Sequence, residues 1–216
     1  MSAAPPPEQP EELHRPGDGH PPGAGAAGRR RRLIGAFARV AAEHGYSRTT
    51  IAQVTEAAGV PEQAFYAHFG DLEDCFLAAY DHGAGILLAR MHAARLAQPG
   101  WRDALRAGLR VLFEAMAAEP AFARIAVIET GSAGPRVRRA RLSTMANFRG
   151  FFSGPDMPPI PGTVRDALIG GIYTTIYSYV ESDRTAELPE LLPAMSFFAL
   201  LPFVSRDEAA EELLGH

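Results

Sequence analysis

Apolar side chains recur at helical spacing from Leu33 onwards. Leu33, Phe37, Val40 and Ala41 form one stripe that stops near Gly45, which predicts a first amphipathic helix. Thr50 and Gln53 stand three apart, so hydroxyl and amide can each satisfy an orphan backbone N–H of the other, and Ile51, Val54 and Ala58 then share a face. A short second helix follows, ending before Gly59. Gly59 supplies a turn, Val60 can plug between helices, and Pro61 suits a helix start because its missing N–H is not needed there. A third helix to about Phe69 turns Phe65 and Phe69 inward and leaves Glu62, Gln63, Tyr66 and His68 on its other faces. Asp71 then caps a long helix carrying Leu72, Phe76, Leu77 and Tyr80 inward. Downstream the same period predicts helices over about 101–118, 120–130, 135–152, 164–183 and 188–204, with an irregular Pro- and Gly-dense loop over 153–162. Strand-like alternation has no comparable run, so the fold class is all-α.

Composition refines this picture at a few points. Residues 1–28 are rich in Pro and Gly and poor in apolar residues, so they read as a disordered arm. Over the whole chain 47% of residues are hydrophobic and 21% charged, ordinary for a folded globular protein. With a formal charge of −4, contact with nucleic acid must come from a local basic patch. All 21 basic residues are Arg. The run Arg29 to Arg32 reads equally as a phosphate-binding tail and as a solvated helix start.

Cys75 is the single cysteine, which excludes an intramolecular disulfide and fits a reducing, cytoplasmic setting. The N-terminus lacks the pattern of a secretion signal. The longest apolar stretch, 167–180, is too short to cross a bilayer and reads as a buried helix, so no membrane partner is expected. Seven scattered His residues, with no Walker loop, nucleophile elbow or HExxH, point away from an enzyme and from any metal or cofactor.

Two short helices joined by a glycine turn, the second with a polar face, form the pattern of a helix-turn-helix. The segment YSRTTIAQVTEAAGVPEQAFYAHFGDLEDCFLAAY, Tyr46 to Tyr80, closely resembles the DNA-binding signature of the TetR family of one-component regulators. The resemblance implies an N-terminal three-helix DNA-binding domain, here 29–75, and a C-terminal helical ligand-binding and dimerisation domain, 76–216. It implies that the third helix enters the major groove of operator DNA while the starts of the second and fourth helices grip the backbone. Arg48, Thr49 and Thr50 then lie at the opening of the second helix, Gln63 and Ala64 face base edges, and Tyr66 and His68 stand where the family contacts phosphate. Three departures bear on those contacts: Pro61 where Ser is frequent, Ala64 where Thr is, and Leu72 where a phosphate-binding Lys is. Arg48 and the Arg29 to Arg32 run are candidates to supply the missing charge.

Beyond Asp81 the resemblance is architectural. The stretches 167–179 and 188–203 look like the last two helices of such regulators, which pack against their copies in a homodimer, and Gly170 and Gly171 would allow close helix approach. Phe113, Met116, Ile125, Ile128, Phe148, Phe152, Tyr173 and Tyr177 are candidate walls of a pocket for a small-molecule effector, with plain core as the competing reading for each. The cluster Arg136 to Arg141 reads as a solvated helix face, or as a patch that attracts an anionic effector. The function expected is a transcriptional regulator, a repressor released by its effector. A helical protein-interaction module without DNA binding is the alternative, and an all-α enzyme a more distant one.

Overall fold

The structure, a computed structural model, describes residues 25–154 and 156–214, and no described residue lies in a strand. The order is α1 (Ala26–His44), α2 (Ile51–Ala58), α3 (Glu62–Tyr66), α4 (Leu72–Leu96), α5 (Trp101–Ala118) and α6 (Pro120–Arg124). A π-helical turn (Ile125–Glu129) leads into α7 (Thr130–Ser132), followed by α8 (Pro135–Phe148), α9 (Gly162–Glu181), α10 (Leu192–Leu200) and α11 (Arg206–Ala210). Helix α1 begins at Ala26, so the last three residues of the stretch expected to be a disordered arm are helical; Ala26 and Ala27 are exposed, and strong helix propensity accounts for the extra turn. Residues 1–24 of that arm lie outside the described residues.

Local chemistry sets most boundaries. The Thr50 hydroxyl accepts from the Gln53 N–H at 3.3 Å, and the Gln53 side chain accepts from the Thr50 N–H at 2.8 Å, closing both ends of a capping box. Gly59 ends α2 with φ 63° and ψ 42°, a left-handed conformation that a side chain would strain. Helix α3 stops at Tyr66, three residues earlier than the sequence suggests. The continuation to Phe69 holds as turns, with His68 and Phe69 both donating to the Phe65 carbonyl. Asp71 caps α4 by accepting from the Asp74 N–H at 2.7 Å. The 120–130 helix is divided by the π turn, and 188–204 opens as a tight 3-10 stretch before α10.

Burial binds these elements into one continuous core. Phe37, Phe65 and Phe76 are fully buried at its N-terminal end, and Phe113, Ile125 and Leu188 in the body. Phe37, Tyr46 and Phe76 meet edge to face, with ring centroids 5.2 to 6.3 Å apart, locking α1 and the start of the helix-turn-helix to α4. Cys75 lies in the same core, where burial pushes its thiol up to about 12, so it stays protonated and inert. Helix α9, expected to be buried, is buried on one face only, with Leu168, Ile172, Ile176 and Val180 inward and Thr174 and Ser178 exposed. No helix among the described residues is long and apolar enough to cross a membrane.

The C-terminal α11 is held to α5 by charge. Arg102 donates to Glu208 at 2.9 Å, and Arg106 pairs with Glu212. The Arg102 hydrogen bond, helped by the Ser205 cap, lowers the Glu208 carboxyl from 4.5 to about 2. A carboxyl whose folded value is depressed stabilises above its unfolded value and loses that contribution as pH falls through the folded one. Thermal melting should therefore decline between pH 4.5 and 2, and Arg102→Met should lower the melting temperature at pH 7 while leaving it unchanged near pH 2. Equal effects of the variant at both values would exclude the pair as the cause.

Candidate nucleic-acid interface and effector cavity

The surface of the helix-turn-helix is built by α3. Phe65 anchors it from below, fully buried with its ring tilted against Phe69 at 5.4 Å between centroids, and this turns the opposite face outwards. Glu62, Gln63 and Tyr66 are exposed, Tyr66 at 57%, while Ala64 and His68 are half-buried at the edges of that face. At the start of α2, Thr50 and Arg48 are exposed, with Arg48 Nε donating to the His44 carbonyl at 2.6 Å. Thr49, expected among the contacts, is 93% covered, and its hydroxyl donates to the Gly45 carbonyl at 3.0 Å, so it braces the turn. Helical periodicity does not separate Thr49 from Thr50, since both are extended and their side chains fall on opposite sides of the chain. Within the Arg29 to Arg32 run, the Arg30 guanidinium lies over the Phe69 ring at 5.3 Å and ties α1 to the end of α3.

The start of α4 carries a cluster that the sequence did not reveal. Asp71, Glu73 and Asp74 surround Arg136 from the start of α8, at 2.8, 2.9 and 2.5 Å. Arg136 holds the Asp74 carboxyl below the usual carboxylate range. Unpaired, these acids would repel a phosphate at a place where Leu72 offers no charge of its own. Arg136 neutralises them in part and joins the helical body to the helix-turn-helix. The reading of Arg136 to Arg141 as a solvated face thus holds for Arg138 and Arg139, which are exposed, and fails for Arg136 and Arg141, which face charge and cavity.

A second tie runs deeper. Glu129, at the end of the π turn, is 5% exposed; its carboxylate accepts from the Tyr46 N–H at 2.8 Å and from the Ser132 hydroxyl at 3.3 Å, with Arg124 Nε at 3.5 Å. Two residues earlier, the Val127 carbonyl accepts from the Tyr173 hydroxyl at 2.9 Å. Tyr173 and Val127 both line an apolar cavity of ≈ 90 Å³ inside the body, between α4, α5, α8 and α9.

Of the eight proposed pocket residues, Met116, Phe148, Phe152 and Tyr173 line this cavity. Phe113 and Ile125 are fully packed core and Ile128 is half-buried against it, while Tyr177 points away to donate to Glu181 at 3.1 Å. Wall and core are equally apolar and equally periodic, so only the packing tells them apart. Tyr80, Met91, Arg141, Thr144 and Met145 are walls that the sequence reading missed.

A helix-turn-helix thus stands on a helical body that holds an apolar cavity. Residues 33–79 match the family described as bacterial regulatory proteins, tetR family. The HTH-type transcriptional repressor AcnR of Corynebacterium glutamicum is 39% identical over 69 residues, 32% of this chain and 32% of that protein, so the chain matches about a third of its relative's length. Among solved structures, the fatty acid degradation regulator FadR of Bacillus halodurans has a TM-score of 0.72 at 17% identity over 82% of this chain and 97% of its own. FadR of Bacillus subtilis, solved in complex with stearoyl-CoA, has a TM-score of 0.71 at 17% identity over 81% of this chain and 99% of its own. These two likenesses show that the fold shared with those regulators extends through the helical body.

Proposed function

We propose that the protein is a transcriptional repressor that binds a palindromic operator as a homodimer and releases it when a small apolar ligand enters the cavity. The observation that carries this reading is the exposed face of α3, where Gln63 and Tyr66 project from a short helix fixed beneath by Phe65. Such a helix fits the major groove, with an amide able to read a base edge and a phenol able to donate to phosphate. Gln63, Ala64, Tyr66 and His68, with Arg48 and Thr50 beside them, form the proposed contact surface, and Thr49 acts by holding the turn.

One recognition helix spans few base pairs, so useful affinity calls for two at matching pitch. Helix α9 supports a partner: Gly170, Thr174 and Ser178 repeat every four residues along a shallow groove, and apart from the helix's own backbone no atom lies within 4 Å of the space a Gly170 Cβ would fill. Gly171 has a different use, since its bare backbone receives the Phe198 ring of the same chain. The stearoyl-CoA bound by FadR of Bacillus subtilis is consistent with an apolar effector here. Such a protein works in the cytoplasm and has no catalytic step.

The test is a mobility shift with DNA from upstream of the protein's own reading frame, followed by footprinting. The expected result is a protected inverted repeat. Gln63→Ala should weaken binding roughly tenfold and relax preference at one base pair of each half-site, while Tyr66→Phe should weaken binding similarly across sequences. Absence of a shift at low salt would favour an interaction module instead.

A further inference from the structure

The cavity in the helical body is apolar except at one end. Its walls include Leu105, Leu109, Ile172 and Ile176, yet Arg141 also lines it, together with Tyr80, Thr144 and Tyr173. Arg141 Nη1 donates to the Tyr173 hydroxyl at 3.2 Å, and its guanidinium sits 5.5 Å from the centre of that ring. Arg141 Nε is buried without any acceptor, and among the described residues no carboxylate pairs with this guanidinium. The Nε atoms of Arg95 and Arg165 also lack an acceptor, and that of Arg124 meets only the Glu129 carboxylate at 3.5 Å, but none of those residues lines the cavity. The Tyr80 hydroxyl is buried at the same end within reach of Thr144, and loss of hydration keeps it in its protonated, donating form.

A guanidinium always carries its charge, and beside apolar walls that charge is costly unless an anion compensates it. Arg141, Tyr80, Thr144 and Tyr173 are the polar members of a lining that otherwise offers hydrocarbon and rings, which is the pattern of a site that orients a ligand by one polar end. Building on the reading of the cavity as the effector site, we infer that the effector is an apolar molecule with one terminal carboxylate, and that Arg141 is its anchor. Tyr173 makes this position informative to the rest of the protein. A carboxylate on Arg141 competes for the guanidinium that now holds the Tyr173 hydroxyl, which in turn donates to the Val127 carbonyl of the π turn. At ≈ 90 Å³ the cavity admits a chain of several carbons only if its walls give way, and Met91, Met116 and Met145 are the flexible members of the lining.

Calorimetric titration of the full-length protein with octanoate, 1-octanol and octanoyl-CoA tests the inference without involving DNA. Octanoate should bind at least about tenfold more tightly than 1-octanol, the scale of a charge-assisted hydrogen bond. Arg141→Met should remove that preference while leaving 1-octanol within about twofold, and Arg141→Lys should retain most of it. The acid–alcohol comparison is made on the unaltered protein, so it stands even if a variant folds poorly. Equal affinity for acid and alcohol, binding of octanoyl-CoA without octanoate, or no binding of any of the three would each overturn the assignment. An operator shift that persists in those cases would leave the regulator reading intact.

Discussion

Replacing Phe37 with alanine should destabilise the protein by about 3–5 kcal/mol, the usual range for a fully buried phenylalanine. Phe37 has no exposed surface, and its ring meets Phe76 of α4 at 5.5 Å and Tyr46 at 6.3 Å. The three rings fill the junction where α1, the turn before α2, and α4 converge. Loss of the ring forfeits burial and two edge-to-face contacts and leaves a cavity. Denaturant unfolding measures the total, and hydrogen exchange should locate the lost protection in α1, α2 and the first turns of α4. A change below about 1 kcal/mol would mean that α1 collapses onto α4 without the ring, and that the junction is softer than its packing implies.

Glu129→Ala should have a smaller effect on stability and a larger one on regulation. The substitution orphans the Tyr46 N–H and leaves Arg124 without its partner, for a loss of about 1–3 kcal/mol. Glu129 also stands two residues from Val127, whose carbonyl is tied to Tyr173 in the cavity. It is thereby the last covalent step between the proposed effector site and the helix-turn-helix. Allosteric coupling commonly changes affinity by about 5–150-fold, and in Glu129→Ala the ligand-induced fall in operator affinity should shrink towards none. Glu129→Gln keeps an acceptor for the Tyr46 N–H and should retain much of the response. Operator titrations with and without ligand measure both. An undiminished response in Glu129→Ala would move the coupling to the Arg136 cluster on α4.

The uneven success of the sequence reading has physical causes. Helix α5 lies where the period places it, residues 101 to 118, because Gly100 and Pro120 bracket one amphipathic stripe. The capping box at Thr50 and the cap at Asp71 were legible because each needs only residues three apart. The π turn was not, since Ile125 to Glu129 carries an ordinary helical composition and no local sign of the extra residue. Contacts between distant segments were equally hidden. Arg136 lies more than sixty residues from Asp71, Glu73 and Asp74 and looks from the sequence like one more arginine of a basic run. Met116, Phe148, Phe152 and Tyr173 are candidate walls by their sequence, but so are Phe113 and Ile125, because a period reports direction and not whether space remains there.

Phe122, a wall of the cavity on α6, presses its ring onto α4 at Gly83, where even a methyl group would collide with it. Most contacts between helices pass through two side chains that can each absorb part of a push. Here one partner contributes only backbone, so the joint has little give. An occupant that shifts Phe122 therefore pushes directly on the shaft of the long helix whose other end supports the helix-turn-helix.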